Sequence, residues 1–170
     1  EVFFRASGGG VTLSGGEVLM QAGFAARFLQ RLRQWGIRTA IETAGDGAFD
    51  RFLPVAEACN EVLFDFKIME PERARSLLRM NQPRVLDNFR QLAARKINLI
   101  PRVPLIPGYT LNTDNFRQIL AFLAPFALKE MHLLPFHQYG EPKYRLLGKP
   151  WTLASVKAPD EAEIQPYRVM

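Results

Sequence analysis

The stretch Ser7-Gly8-Gly9-Gly10-Val11-Thr12-Leu13-Ser14-Gly15-Gly16-Glu17 decides how the rest of the chain is read. Residues 11–13 are a β-branched and apolar run, the signature of a short strand, and the run discharges into a glycine pair with a carboxylate directly behind it. Without Cβ atoms, Gly15 and Gly16 let the backbone approach a ligand and take positive φ, while Glu17 is presented at the mouth. An ammonium group suits such a site. The Gly-Lys-Ser/Thr of a Walker loop is absent, and Leu13 stands where the dinucleotide spacing G-x-G-x-x-G needs its last glycine. Taken alone, the pair reads equally well as an ordinary tight turn, so the choice falls to the rest of the chain.

Outward from Glu17, the apolar residues Phe24, Phe28, Leu32 and Trp35 recur at helical spacing, with Arg27, Arg31 and Arg33 off the stripe and Gly36 as a stop. The spacing predicts a helix that covers one side of a sheet with that stripe. A second strand is predicted over 39–43, ending in the turn Ala44-Gly45-Asp46-Gly47, then a helix over 49–58 and a third strand over 61–68. Pro71 opens a helix running to about Met80, and Val85, Leu86, Phe89, Leu92 and Ala93 mark another. The fourth strand is predicted over 97–105. Pro101 and Pro104 are awkward in a central strand, so its far half is expected to leave the ladder early. Asn112 or Thr113 caps a helix that Pro125 stops, and 131–136 is the fifth strand. Five strands separated by helical sequence predict right-handed β-α-β crossovers and a parallel sheet. The domain is placed over 1–150, with 151–170 as an irregular and peripheral tail of the same domain.

With 170 residues, 48% hydrophobic and 23% charged, the composition is that of one globular domain and excludes a disordered chain. The 22 Lys+Arg against 17 Asp+Glu make a modest basic excess, concentrated over 71–102, where eight basic residues face Glu72 and Asp87. Solvated helix faces account for that excess, so no nucleic-acid partner is expected. The lone Cys59, in an apolar helical stretch, excludes an intramolecular disulfide and a self-contained cysteine cluster and reads as a small core residue. No signal peptide or membrane-length apolar run is present, so a cytoplasmic protein without a membrane partner is expected. The chain opens on Glu1-Val2-Phe3-Phe4 and closes on Arg168-Val169-Met170 without a capping signal, which reads as a fragment.

The polar residues fall in a pattern. Glu17, Glu42 with Thr43, Asp65 with Lys67, Arg102 and His137 all stand at or near the last residues of the five predicted strands. In a parallel sheet those ends share one edge, where α/β proteins place their ligands. Singly, each has a plain account: Lys67 and Arg102 as solvated charges, Asp65 as the partner of Lys67, His137 as a satisfied loop histidine. His132 is expected to point away, and two histidines with one cysteine at these spacings do not make a zinc site. Together they describe a ligand. A carboxylate beside a glycine pair suits an amine, Lys67 and Arg102 suit a carboxylate or ribose oxygens, and a rim imidazole suits a flat heterocycle. An amino acid joined to a nucleoside, such as S-adenosylmethionine, would use all of these.

Four motifs carry a family likeness: residues 7–17, Asp65-Phe66-Lys67, Arg102-Val-Pro-Leu-Ile-Pro-Gly108, and Leu133-Leu-Pro-Phe-His137-Gln-Tyr-Gly-Glu-Pro-Lys-Tyr144. Together they resemble the glycyl-radical-enzyme activating enzymes of the radical S-adenosylmethionine superfamily, over nearly the whole chain to about Trp151. The resemblance implies a partial (β/α) barrel of about five parallel strands with helices outside, lacking the first strand and its cluster loop. It implies that the full-length protein uses a [4Fe-4S] cluster to reduce S-adenosylmethionine, whose 5′-deoxyadenosyl radical takes a hydrogen from one glycine of a partner. That partner would be pyruvate formate-lyase or a related glycyl radical enzyme, and the electron donor a reduced flavodoxin or ferredoxin-type protein.

Residue by residue, the resemblance implies that Gly15, Gly16 and Glu17 hold the methionine amino group and that Asp65 and Lys67 help bind the cofactor. Arg102 would lie near cofactor or substrate peptide, and His137 would contact the nucleoside. Glu42, Thr43 and Asp65 match positions lining a monovalent cation site, with Glu42 standing where the family usually has Asp. The family's Cys-x3-Cys-x2-Cys loop is not in the sequence, and Cys59 is no substitute. The chain alone is therefore expected to hold no cluster, to be inactive, and to bind S-adenosylmethionine weakly at best. The rival reading is a non-catalytic partial barrel that grips a nucleotide or partner protein through its Arg-rich 71–102 region.

Overall fold

Five strands, Gly10–Leu13 (β1), Arg38–Thr43 (β2), Glu61–Asp65 (β3), Leu99–Leu105 (β4) and His132–Pro135 (β5), lie side by side in sequence order in the computed structural model, which describes residues 8–170. Ser7 of the opening stretch lies outside those residues. All four pairings are parallel, and the sheet curls into a half-barrel with the helices outside. The register sets Leu13 beside Ile41, Thr43 beside Phe64, and Asp65 beside Arg102. The segments that follow the strands therefore leave from one edge.

The crossovers are the helices Ala22–Gln34 (α1, entered through a single 3-10 turn at Val18–Gln21), Phe49–Ala58 (α2), Pro71–Leu78 (α3), Gln82–Ala94 (α4) and Thr113–Leu123 (α5). Of the two candidate caps for α5, Asn112 is the one used: its side chain accepts from the Asn115 N–H at 2.9 Å, satisfying an orphan donor of the first turn. Between sheet and helices lies an aromatic core. Phe52, Phe64, Phe66, Phe89 and Phe116 are fully buried, and Phe89 meets Phe64 and Phe66 edge-on at 5.1 Å.

The face that α1 buries differs from the predicted one. Ala22, Ala25, Ala26, Leu29 and Leu32 are buried, whereas Phe24 is 58% and Trp35 50% exposed. Small side chains let the helix sit close to the sheet and to α2, where Arg33 donates to the Glu57 carbonyl. The rings lie on the opposite flank: Phe24 stacks on Phe28 at 5.8 Å, and Arg31 covers Trp35. Of the predicted stripe, only Leu32 is buried.

Three further expectations are corrected. The far half of β4 stays in the sheet, paired to β5 as far as Leu105. Arg102 O accepts from Phe66 N on the β3 side and Leu105 O from Phe136 N on the β5 side, so even residues of β4 face β3 and odd ones face β5. Pro101 thus turns its nitrogen toward β5 one residue before that pairing begins, and Pro104 toward β3 after that pairing has ended. Neither proline removes a ladder bond. The third strand is shorter than predicted, ending at Asp65, because Phe66–Ile68 continues beyond the ladder with Phe66 and Ile68 still buried. The tail is not irregular throughout. Residues Glu161–Arg168 form a helix (α7) with a reciprocal capping box between Asp160 and Glu163, and it buries Ile164 in the core. A short helix that the sequence reading left unassigned, Glu141–Leu146 (α6), follows a 3-10 turn at Gln138–Gly140.

Burial pushes the Cys59 thiol up to about 11. At pH 8 the native thiolate fraction is then ~100-fold below that of an ordinary exposed thiol; the more basic thiolate recovers ~10-fold in nucleophilicity, so Cys59 should react with a disulfide reagent at least ~10-fold more slowly in the folded chain than in urea. Comparable rates in the two states would show that the thiol is open.

Candidate functional site

At the shared edge of the sheet lies a cavity of about 610 Å³. Gly15, Gly16 and Glu17 enter it from the segment after β1, Glu42 and Thr43 from the end of β2, and Asp65 and Lys67 from the end of β3. Glu17 is held by the chain itself. Its Oε1 accepts from Leu19 N at 3.2 Å and Thr43 Oγ1 at 2.6 Å, and its Oε2 accepts from Ala44 N at 3.0 Å. A carboxylate has about four acceptor positions, so the one left on Oε2 is what Glu17 can offer a ligand. Its other bonds join the loop after β1 to the loop after β2.

Arg102 lies beneath this cavity, 9% exposed, and bridges two of its carboxylates. Its Nε and one terminal nitrogen reach Asp65 Oδ1 at 2.9 and 2.8 Å, and the other terminal nitrogen reaches Glu42 Oε1 at 2.8 Å. Ser14 Oγ closes the network by donating to Glu42 Oε2. For Glu42, burial works to raise the carboxyl, yet the hydrogen bonds from Arg102 and Ser14 and the Arg102 charge hold it below its ordinary value. Asp65 goes the other way, because burial outweighs the pull of Lys67 and Arg102. Burial alone would lower Arg102, but its bonds to both carboxylates raise it and keep the guanidinium charged.

Lys67 lines the cavity, and its ammonium stands 4.0 Å from Asp65 Oδ2. Asn115 fixes the backbone there: its amide donates to Lys67 O and accepts from Met69 N, both at 2.8 Å. His137 sits two residues past β5, exposed and outside the cavity lining. Its imidazole accepts from Tyr139 N at 3.3 Å and meets the Tyr139 ring at a tilt of 33°, centroid to centroid 4.4 Å. His132 is also exposed and pairs with Glu130 at 3.4 Å.

The sequence reading missed several lining residues: Ser14, Met20, Ala44, Asp46, Leu78, Arg79 and Met80. Asp46 had a signal, an acid between two glycines at a strand end. It anchors the site to α4 by accepting from Asn81 N at 3.0 Å and from Arg84 at 2.7 and 2.8 Å. Leu78, Arg79 and Met80 arrive from the end of α3, where nothing in the local sequence marks them. Among the described residues, no cluster of His, Cys, Asp or Glu could hold a metal ion, and Cys59 closes α2, donating to Ala56 O. An iron–sulfur cluster does not fit these residues.

No protein-family model matches the chain. Individual relatives do. The chain is 59% identical over all its 170 residues to the pyruvate formate-lyase 2-activating enzyme of Escherichia coli K12, covering 58% of that protein. It is 38% identical over 149 residues to the isethionate sulfite-lyase activating enzyme of Desulfovibrio desulfuricans, 86% of this chain and 48% of that one. A solved domain of a pyruvate-formate lyase-activating enzyme from Bacteroides vulgatus superposes with a TM-score of 0.75 at 27% identity, over 94% of this chain and 90% of that one.

The chain is a close homologue of the glycyl-radical-enzyme activating enzymes. Its half-barrel is the partial radical S-adenosylmethionine barrel. The chain spans about half the length of the curated relatives it matches. The cavity of this activating-enzyme homologue is lined by residues at or after three strand ends, joined by Leu78, Arg79 and Met80 from the end of α3.

Proposed function

We propose that this chain works as the greater part of the barrel of a radical S-adenosylmethionine activating enzyme, an oxidoreductase that installs a glycyl radical on pyruvate formate-lyase or a related enzyme. The observation that carries the reading is the convergence of Gly15, Gly16, Glu17, Asp65 and Lys67 from three strand ends on one cavity, in a chain 59% identical to such an enzyme. Its donor set suits the amino-acid end of S-adenosylmethionine. The free acceptor on Glu17 Oε2 takes the ammonium, and the Lys67 ammonium takes the carboxylate. His137 and Tyr139, both exposed and in ring contact at 4.4 Å, offer aromatic faces to the adenine.

S-adenosylmethionine held by Glu17 and Lys67 would supply abstraction of a hydrogen atom from a C–H bond, provided that a [4Fe-4S] cluster held by other residues reduced it. The cluster's ligands belong to residues outside this chain, and the chain alone is inactive. Arg102 holds Glu42 and Asp65 in place at the cavity and offsets one of their two charges, with Lys67 4.0 Å from Asp65 as the second cation. A monovalent cation beside Glu42, Thr43 and Asp65 is the lesser part of the reading, because it competes with that guanidinium. The electron donor is a flavodoxin or ferredoxin-type protein, and the setting is cytoplasmic.

The test is S-adenosylmethionine binding to the complete, cluster-loaded protein by calorimetry. Lys67→Ala removes a charge-assisted hydrogen bond, for which a loss of about 10–100-fold in affinity is expected. His137→Ala, outside the cavity, should cost less than Lys67→Ala. Unchanged affinity in both variants would remove the assignment of this cavity to the cofactor.

A further inference from the structure

The segment from Gln138 to Tyr144 holds more structure than a rim imidazole requires. The Gln138 amide donates to Leu153 O at 3.0 Å and Val156 O at 2.7 Å, and its carbonyl accepts from the Trp151 indole N–H. Trp151 lies against Gly140 so closely that a Cβ there would stand 3.2 Å from the ring, and Tyr144 meets the same ring edge-on at 4.8 Å. One side-chain amide, one indole and one glycine thus lock residues 138–156 into a folded strap. The strap fixes α6, and α6 carries Lys143 toward the far side of the sheet.

There the Lys143 ammonium donates to the Gly15 carbonyl at 3.2 Å, joining residues 128 apart in the chain. Among the described residues, β1 and β5 are the two outermost strands of the sheet. The bond therefore spans the site from the segment after the last strand to the glycine pair after the first. Gly15 has φ +119, a conformation with almost no intrinsic preference to hold it, and a cation on its carbonyl sets which way the Gly15–Gly16 peptide faces. We propose that Lys143 is a positioning residue of the site: it pins the Gly15–Gly16 turn that lines the cavity, and the Gln138–Trp151 lock places Lys143. The consequence for ligand affinity rests on the proposed function; the pinning itself does not.

Hydrogen exchange by mass spectrometry on the complete protein, without ligand, tests the pinning. Lys143→Met should raise exchange of residues 14–19 about 5-fold or more while leaving β3 unchanged. Lys143→Arg, which keeps the donor, should stay near the parent, and Gln138→Ala should raise exchange in both 139–147 and 14–19. Exchange over 14–19 that is unmoved by Lys143→Met, or raised as much by Lys143→Arg, overturns the assignment. In a second arm, Lys143→Met should weaken S-adenosylmethionine binding several-fold and Lys143→Arg should restore it. A protein that fails to bind S-adenosylmethionine in its parent form refutes the proposed function, and the exchange arm still decides the role of Lys143.

Discussion

Arg102→Met is expected to cost about 3 kcal/mol of folding stability at pH 7, the low end for breaking a buried ion pair. The buried guanidinium makes three short bonds to two carboxylates, and its removal leaves Glu42 with Ser14 and Asp65 with a lysine 4.0 Å away. The low end applies because the Glu42 side chain is 31% exposed and keeps some water. Arg102→Lys keeps a charge but not the fork that reaches both acids, so it should recover only part of the loss. Adding Glu42→Gln and Asp65→Asn to Arg102→Met should recover more, since the cost lies in stranded charge. The pH dependence follows from the shifts. In the parent, Glu42 titrates below its ordinary 4.5, so its stabilisation is full above that value and is lost as pH falls through its lowered folded value. In Arg102→Met both carboxyls titrate higher than in the parent, so protonation relieves them first and the gap between the two proteins narrows on acidification. Urea midpoints at pH 7, pH 4.5 and about pH 3 check both statements. A loss under about 1 kcal/mol, or a gap that widens in acid, would show that Arg102 is not the keystone of this network.

The position of that network was legible because a parallel sheet is periodic. Once five strands were read in series, Glu17, Glu42, Thr43, Asp65 and Lys67 had to emerge on one edge, whatever their side chains then did. What each carboxylate touches was not legible. Glu17 looked like an open ligand for an amine and is three-quarters occupied by Leu19, Thr43 and Ala44, donors whose approach depends on how two loops cross. His137 lies past the last ladder residue, where strand periodicity no longer dictates direction, and the chain has already turned its imidazole onto Tyr139. The exposed rings of α1 escaped because hydrophobic spacing finds an apolar stripe but not its depth of burial; Ala22, Ala25, Ala26 and Leu29 won the sheet by being able to approach it. In α7, Pro166 and the proline-rich approach hid a helix that Asp160 and Glu163 had signalled as a capping box.

Gly45→Ala should be among the most damaging single-carbon changes in the described chain. Gly45 has φ +71, and a Cβ placed there would stand 2.2 Å from the tip of the Phe64 ring, at the heart of the aromatic core. Left-handed strain costs about 1–2 kcal/mol for a non-glycine residue, and overpacking a filled core adds about 1–3 kcal/mol. Gly36→Ala separates the two. Its φ is nearly the same, +72, but nothing lies within 4 Å of the added carbon, so it should cost only the strain. A companion Phe64→Leu makes room, and the double variant should be less destabilised than the sum of its parts by roughly 1 kcal/mol or more. Equal costs for Gly45→Ala and Gly36→Ala would mean that the ring yields freely and that the core does not press on the site. The core is expected to press, because Gly45 N donates to Thr43 Oγ1 at 2.9 Å, Thr43 in turn donates to Glu17, and Asn88 grips Gly45 O at 2.7 Å. A displaced Gly45 therefore moves Glu17 with it, and Gly45→Ala should loosen the cavity as well as the fold, seen as faster exchange over 14–19 even at temperatures where the variant remains folded.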